Sequence, residues 1–190
     1  KVLNMPTDSG IDRPVLWLKL GHLYQERIQD FPRARRAFSQ ALEQGGWTPD
    51  NAAKLRALLE AEEDWVNLAK RLAADADATQ DPDQEFDYCY TLGNLLYDHL
   101  GEAERAIEVW FRALELKSDN KMVLVRLMDG FRTTEQWNSS IKTLKKLTSL
   151  ETDPIRRAQN FHAIGVIQRD KLDDSVSAVR SFDQALEFDP

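Results

Sequence analysis

The chain has 190 residues, of which 42% are apolar and 30% charged, with a formal net charge of -7 and a pI near 5.1. That apolar share is enough to bury a core, while the acidity works against general affinity for nucleic-acid phosphates. No apolar run approaches the roughly 18 residues a membrane span needs. The single cysteine, Cys89, rules out an intrachain disulfide and a cysteine metal site.

Residues 1–10 are polar, carry Pro6 and Gly10, and read as an N-terminal tail. The first residue is Lys1 rather than Met, so the expectation is a piece of a longer chain. A lone thiol fits a reducing compartment, and a cytoplasmic location is expected on that ground. Residues 11–46 form the first repeating unit. Trp17, Leu20, Gly21 and Tyr24 fall at i, i+3, i+4 and i+7, one face of a helix. Asp30-Phe31-Pro32 interrupts that pattern, and Pro suits the first turn of a new helix. Ala34, Phe38, Ala41 and Leu42 form the next face, which Gly45-Gly46 ends.

Thr48-Pro49-Asp50 opens a second unit over 47–81, with Leu55, Leu59, Trp65, Leu68 and Leu72 at helical spacing. A third unit over 82–118 carries Cys89, Leu92, Gly93, Leu96, Ala106, Trp110 and Ala113. A fourth over 119–153 carries Leu124, Leu127, Phe131, Trp137, Ile141 and Leu144. A fifth over 154–190 carries Phe161, Ile164, Gly165, Ala178, Phe182, Ala185 and Pro190. No stretch alternates with β-branched enrichment, so no strand is expected.

The units repeat with a period of 72 residues. Gly21, Gly93 and Gly165 keep it. So do Ala34, Ala106 and Ala178; Phe38, Trp110 and Phe182; Ala41, Ala113 and Ala185; and Ile28, Leu100 and Leu172. Trp65 matches Trp137, and Asp81-Pro82 matches Asp153-Pro154. Glycine is about 7% of ordinary sequence, so its recurrence alone would arise by chance roughly 0.5% of the time. Each period holds two helical hairpins. Mid-helix glycine costs about 1 kcal/mol relative to alanine, so three in phase imply close approach of the paired helix. The in-phase alanines of the second helices are the expected partners. The second and fourth units lack the glycine and place Arg56 and Met128 in its phase.

Trp17-x2-Leu20-Gly21-x2-Tyr24, then Ala34-x3-Phe38, then Pro49, resembles the tetratricopeptide-repeat signature. The third and fifth units resemble it more weakly, and the second and fourth are degenerate. The odd units also carry one extra residue between their helices. The resemblance implies an all-α fold: a right-handed α-solenoid of five helix-turn-helix hairpins and about ten helices. Each hairpin would lean mainly on its neighbours, so 11–190 would form one stack with no separate linker.

In that family the first helices line a groove that holds a peptide or partner protein. Transferred here, the groove residues are Lys19, His22 and Gln25; Tyr90, Asn94 and Tyr97; Asp129 and Arg132; and His162 and Arg169. Leu18, Ala53, Ala57, Glu60, Val125 and Val166 share the same face. Residues one position past the packed face are turned by about 100°, which is how this set is picked out. Tyr90, Asn94 and Tyr97 form the expected centre, since Tyr offers amphipathic contact and Asn can pair with a peptide backbone. A chaperone-type carboxylate clamp would need polar residues where Leu18 and Val166 stand, so it is not expected.

No chemistry is legible. His22, His99 and His162 have no second His or carboxylate at a spacing that forms a known metal signature, and no phosphate loop or nucleophile turn occurs. No catalytic residue, metal or cofactor is expected. Cys89 sits where Trp17 and Phe161 do and reads as a small buried hydrophobe. His99, near Gly101, reads as a helix-end residue. Arg33, Arg35 and Arg36, and the acidic run Glu60, Glu62, Glu63 and Asp64, read as solvated helix faces. The expected function is a scaffold binding a protein or peptide, without nucleic acid or membrane insertion. The alternative is self-association through an exposed apolar C-terminal helix bearing Val179, Leu186 and Phe188.

Overall fold

The computed structural model describes residues 12–189; the expected tail at 1–10 and Pro190 lie outside them. Ten α-helices and no strand occur among the described residues. They are α1 (Arg13–His22), α2 (Phe31–Glu43), α3 (Pro49–Ala61), α4 (Trp65–Ala78), α5 (Pro82–Asp98), α6 (Ala103–Leu116), α7 (Lys121–Thr133), α8 (Trp137–Leu150), α9 (Pro154–Lys171) and α10 (Ser175–Phe188). They pair as α1–α2, α3–α4, α5–α6, α7–α8 and α9–α10, the hairpins expected from the period. None is long and apolar enough to cross a membrane.

Short polar side chains start most of these helices, taking a backbone N–H that has no partner within the helix. Asp30 accepts from Arg33 N (3.0 Å), Thr48 from Asn51 N (3.2 Å) and Asn120 from Val123 N (3.2 Å). Asp153 and Asp174 accept from Ile155 N and Ser177 N, both at 3.0 Å. Proline follows Thr48 and Asp153 at the first helical position, where no N–H is needed.

Each hairpin turn holds one residue in the left-handed region: Gln29 (φ 58°), Glu63 (53°), Gly101 (68°), Glu135 (55°) and Asp173 (52°). The next N–H then returns to a carbonyl of the finished helix. In the even units it reaches back five residues, Asp64 to Leu59 O (2.9 Å) and Gln136 to Phe131 O (2.8 Å). In the odd units it reaches back six: Asp30 to Tyr24 O (2.9 Å), Glu102 to Leu96 O and Asp174 to Gln168 O (both 2.8 Å). The extra residue of the odd units is thus absorbed by a widened last turn. In the first unit that widening is a π-helical stretch, Leu23–Ile28, continuing α1.

The described residues fall into two compact units divided between Tyr88 and Cys89, inside α5 rather than at a loop. In the first, Phe38 is fully buried against Gly21, and a Cβ at Gly21 would stand 2.8 Å from its ring. Leu55, Leu58, Leu59, Leu68 and Leu72 continue the core. In the second, the fully buried Trp110 ring occupies the space a Gly93 side chain would need. Phe182 does the same at Gly165, where a Cβ would lie 2.6 Å from the ring. The glycines are therefore required by the aromatic rings of the second helices, not by the in-phase alanines that the sequence suggested. Alanine has too little volume to fill the gap between the helices; the ring fills it and reaches the glycine backbone.

The degenerate units reverse the sizes. The residue eight places after the second-helix N-cap is Phe38, Trp110 or Phe182 in odd units but Leu72 or Leu144 in even ones. A large side chain then takes the glycine's phase. Met128 packs on the cluster of Ile141, Leu144 and Ile164. Arg56 instead reaches a carboxylate, Asp75, which is completely buried. Asp75 also accepts from Arg71 (2.6 Å) and from Trp47 Nε1 (2.9 Å). Cys89 is buried, as its core phase implied.

Candidate functional site

Helical spacing brings His22 of α1 to the side of Lys54 of α3, thirty-two positions later in sequence. Lys54 Nζ donates to His22 Nε2 at 3.3 Å, and Nδ1 lies 3.3 Å from Glu26 Oε1. The imidazole meets the Phe38 ring edge-on, centroids 5.4 Å apart. Lys19 is exposed and Gln25 half-buried on the same helix.

The same register recurs in the second unit, 72 residues on. Asn94 of α5 stands where His22 does, and Arg126 of α7 where Lys54 does. Arg126 Nε donates to Asn94 Oδ1 (2.8 Å), and Nη2 donates to Asp98 Oδ2 (2.6 Å). The guanidinium lies 5.1 Å from the centroids of both Tyr97 and Trp110, within cation–π range. The Tyr97 hydroxyl is 2.7 Å from Thr133 Oγ1 and 3.4 Å from the carbonyl oxygen of Asp129. Asn94, Tyr97 and Asp129 are thus brought together, with Arg126 at the centre.

Sequence reasoning missed Lys54 and Arg126. The signal was present: two basic residues one period apart, a position away from the chosen face. Their consequence is that Asn94 and Tyr97 already hold α5 to α7. Tyr90 is half-buried on α5. On α7, Met122, Val125, Asp129 and Arg132 share one face at three- and four-residue spacing. Met122 is 57% and Val125 46% exposed. Arg132 pairs with Asp129 at 3.2 Å. On α9, His162 and Arg169 flank the Phe182 ring, at 5.6 and 5.9 Å. Arg169 also grips Asp170 with two bonds of 2.6 and 3.0 Å. Those bonds hold the Arg169 pKa above its ordinary value and the Asp170 carboxyl below its own.

Within the basic and acidic runs, Arg35, Glu62 and Asp64 are not simply solvated, whereas Arg36, Glu60 and Glu63 are exposed as expected. Arg35 donates to Glu62 Oε2 (2.7 Å) and Asp64 Oδ2 (2.8 Å), tying α2 to the turn between α3 and α4. The Asp64 carboxyl lies below its ordinary pKa, chiefly because the Asn67 side chain donates to it, with Arg35 adding a smaller pull. Among the described residues, no group of three or more His, Cys, Asp or Glu is placed to hold a metal ion.

No protein-family model matches the chain, and no curated protein matches it. Solved structures do. YrrB, a TPR protein with an unusual peptide-binding site, aligns with a TM-score of 0.56 at 16% identity, over 93% of this chain and 87% of that one. MamA AMB-1 gives 0.58 at 17% identity, over 93% and 92%. MamA 41-end from Desulfovibrio magneticus RS-1 gives 0.53 at 15%, over 94% and 96%. Identity at that level speaks for architecture alone. With its phased glycines, second-helix aromatics and hairpin pairing, the chain has the tetratricopeptide-repeat fold.

Proposed function

We propose that the chain is a protein-interaction scaffold that holds a peptide or partner polypeptide against its first helices. The supporting observation is the face of α7. Met122 and Val125 are left exposed there, although α7 also buries Val123, Leu124, Leu127 and Phe131. Apolar groups beside fixed polar ones suit a polypeptide: the apolar groups supply affinity, and Asp129, Arg132 and Arg126 supply register. The side chains of Asn94 and Tyr97 act mainly by fixing that face, because their polar atoms are engaged by Arg126 and Thr133. His22, Lys19, Gln25, Tyr90, His162 and Arg169 belong to the same family of first-helix positions. YrrB, with its peptide-binding site, supports the reading by analogy of fold.

An array of arbitrary short peptides tests this directly. The wild-type chain should retain a subset of peptides that a Met122→Glu/Val125→Glu variant releases. Both residues are exposed, so helicity should be unchanged. Equal retention by the variant would remove the α7 face from the site.

A second reading has its own observation. On α10, Val176, Val179 and Leu186 are 68%, 58% and 60% exposed. An exposed apolar helix face of this kind favours self-association. Phe188 is not part of it, because it stacks on Phe161 with centroids 5.8 Å apart. Sedimentation over a wide concentration range, with Val179→Lys/Leu186→Lys as the control, separates the two: a concentration-independent monomer removes self-association.

A further inference from the structure

A cavity lies away from the first-helix face, between the second helices α2 and α4, with α3 beneath them. Its volume is about 310 Å3, within the size range of ligand sites. Helical geometry builds it. Arg36, Ser39 and Glu43 lie at i, i+3 and i+7 on α2, and Asn67, Lys70 and Arg71 at i, i+3 and i+4 on α4. Leu55 and Leu59, one turn apart on α3, supply an apolar floor.

The lining is cationic in an otherwise acidic chain: Arg35, Arg36, Lys70 and Arg71 against one carboxylate, Glu43. Two of the four cations are already engaged. Arg35 is held by Glu62 and Asp64, neither of which lines the cavity. Glu43 is engaged as well, by Ser39 and Gln40. Arg36 and Lys70 are exposed at the rim, with no ion pair among the described residues.

Arg71 is the most telling. It shares a single carboxylate, Asp75, with Arg56. The side chains of Arg71 and Arg56 are only 15% and 19% exposed, and Asp75 is fully buried. Two largely buried guanidiniums thus rest on one negative charge. Such an excess is costly unless a counter-charge is near. Arg71 Nε is also buried with no hydrogen-bond partner among the described residues. An anion entering the cavity would meet this uncompensated charge and the free cations of the rim together.

We propose that this cavity is a second binding site, and that it takes an acidic segment of a partner polypeptide in which carboxylates alternate with aliphatic side chains. The carboxylates pair with Arg36, Lys70 and Arg71, and an aliphatic side chain rests on the narrow apolar strip that Leu55 and Leu59 leave open at 5% and 3% exposure. A bare phosphate makes no use of that strip. The net charge of -7 repels a long polyanion such as nucleic acid, whereas a short acidic segment feels mainly the local cations. The cavity shares no residue with the α7 face.

The test uses fluorescence anisotropy with a short fluorescein-labelled peptide of alternating Glu and Leu. The same peptide with Gln for Glu, and inorganic phosphate, serve as comparisons. The Glu peptide should bind at least about tenfold more tightly than the Gln peptide, and rising salt should weaken it. Arg36→Glu/Lys70→Glu should weaken it by about tenfold or more with unchanged circular dichroism, since both residues are exposed. Glu43→Gln should strengthen it. Met122→Glu/Val125→Glu on α7 should leave it unchanged. The proposal is overturned if the Glu peptide does not bind, or if both peptides bind equally. It is equally overturned if the rim variant binds as well as wild type, if the α7 variant loses as much as the rim variant, or if phosphate binds where the Glu peptide does not.

Discussion

The three phased glycines offer a graded experiment, because one substitution can be made at three equivalent sites with different neighbours. Glycine to alanine inside a helix should gain about 1 kcal/mol from propensity alone. At Gly21 the new Cβ would stand 2.8 Å from Phe38, and at Gly93 it would collide with the Trp110 indole. Both rings are completely buried and cannot yield. Overpacking of that kind costs about 1–3 kcal/mol. Clashes this close belong at or above the top of that range, so the net expectation is a loss of about 1–2 kcal/mol, greater at Gly93. At Gly165 the clash is with Phe182, which is only half-buried and can swing outward. There the two terms should nearly cancel. Urea unfolding followed by circular dichroism resolves these differences, since a 2 kcal/mol loss moves the midpoint by roughly 1 M for a slope near 2 kcal/mol/M. The even units also predict the rescue: Met128 opposes Leu144, so adding Trp110→Leu should recover part of the Gly93→Ala loss in a double-mutant cycle. If Gly21→Ala and Gly93→Ala raise the midpoint, the glycines are ordinary helix residues and the ring-to-backbone packing is refuted.

Three further expectations follow from the geometry. Glu135 sits at φ 55°, so Glu135→Gly should stabilise by about 1 kcal/mol through relief of left-handed strain; a lower urea midpoint would contradict the turn geometry. Asp75→Asn leaves Arg56 and Arg71 without their shared counter-ion, and a loss of about 3–5 kcal/mol is expected; a variant as stable as wild type would show that the cluster is solvated. The pH dependence has a definite sign. Asp174 is held below its ordinary value of 3.8, first by the Ser177 hydroxyl and then by the Ser177 N–H. Glu151 is held below 4.5, first by the N–H of Asp153 and then by that of Thr152. A depressed folded pKa means the stabilisation is complete above the unfolded value and is lost as pH falls through the folded one. Unfolding midpoints should therefore hold steady above about pH 5 and drop below about pH 4, with Asp174→Asn showing a smaller drop. An Asp174→Asn curve parallel to wild type would count against that cap.

The hairpins and the helix starts were legible in the sequence because each rests on residues close together in the chain, and the repeat because its residues recur at one fixed spacing. Thr48-Pro49 and Asp153-Pro154 mark helix starts by local chemistry, and Gly21, Gly93 and Gly165 announce close packing by their phase alone. The π-helical widening before Gln29 was visible only as one surplus residue, since the length of a turn does not say where the backbone will relax.

Tertiary structure decided everything that depends on which helix lies opposite. It put Phe38, Trp110 and Phe182, not alanine, against the glycines. It turned Asn94 and Tyr97 from free groove residues into partners of Arg126 and Thr133. It also set Arg56 and Arg71 on one buried carboxylate and gathered the basic cavity from three helices. Periodicity states which face of a helix is turned inward. The atom waiting there is set by side-chain length and by how the neighbouring hairpin packs, and the spacing of residues along one helix states neither.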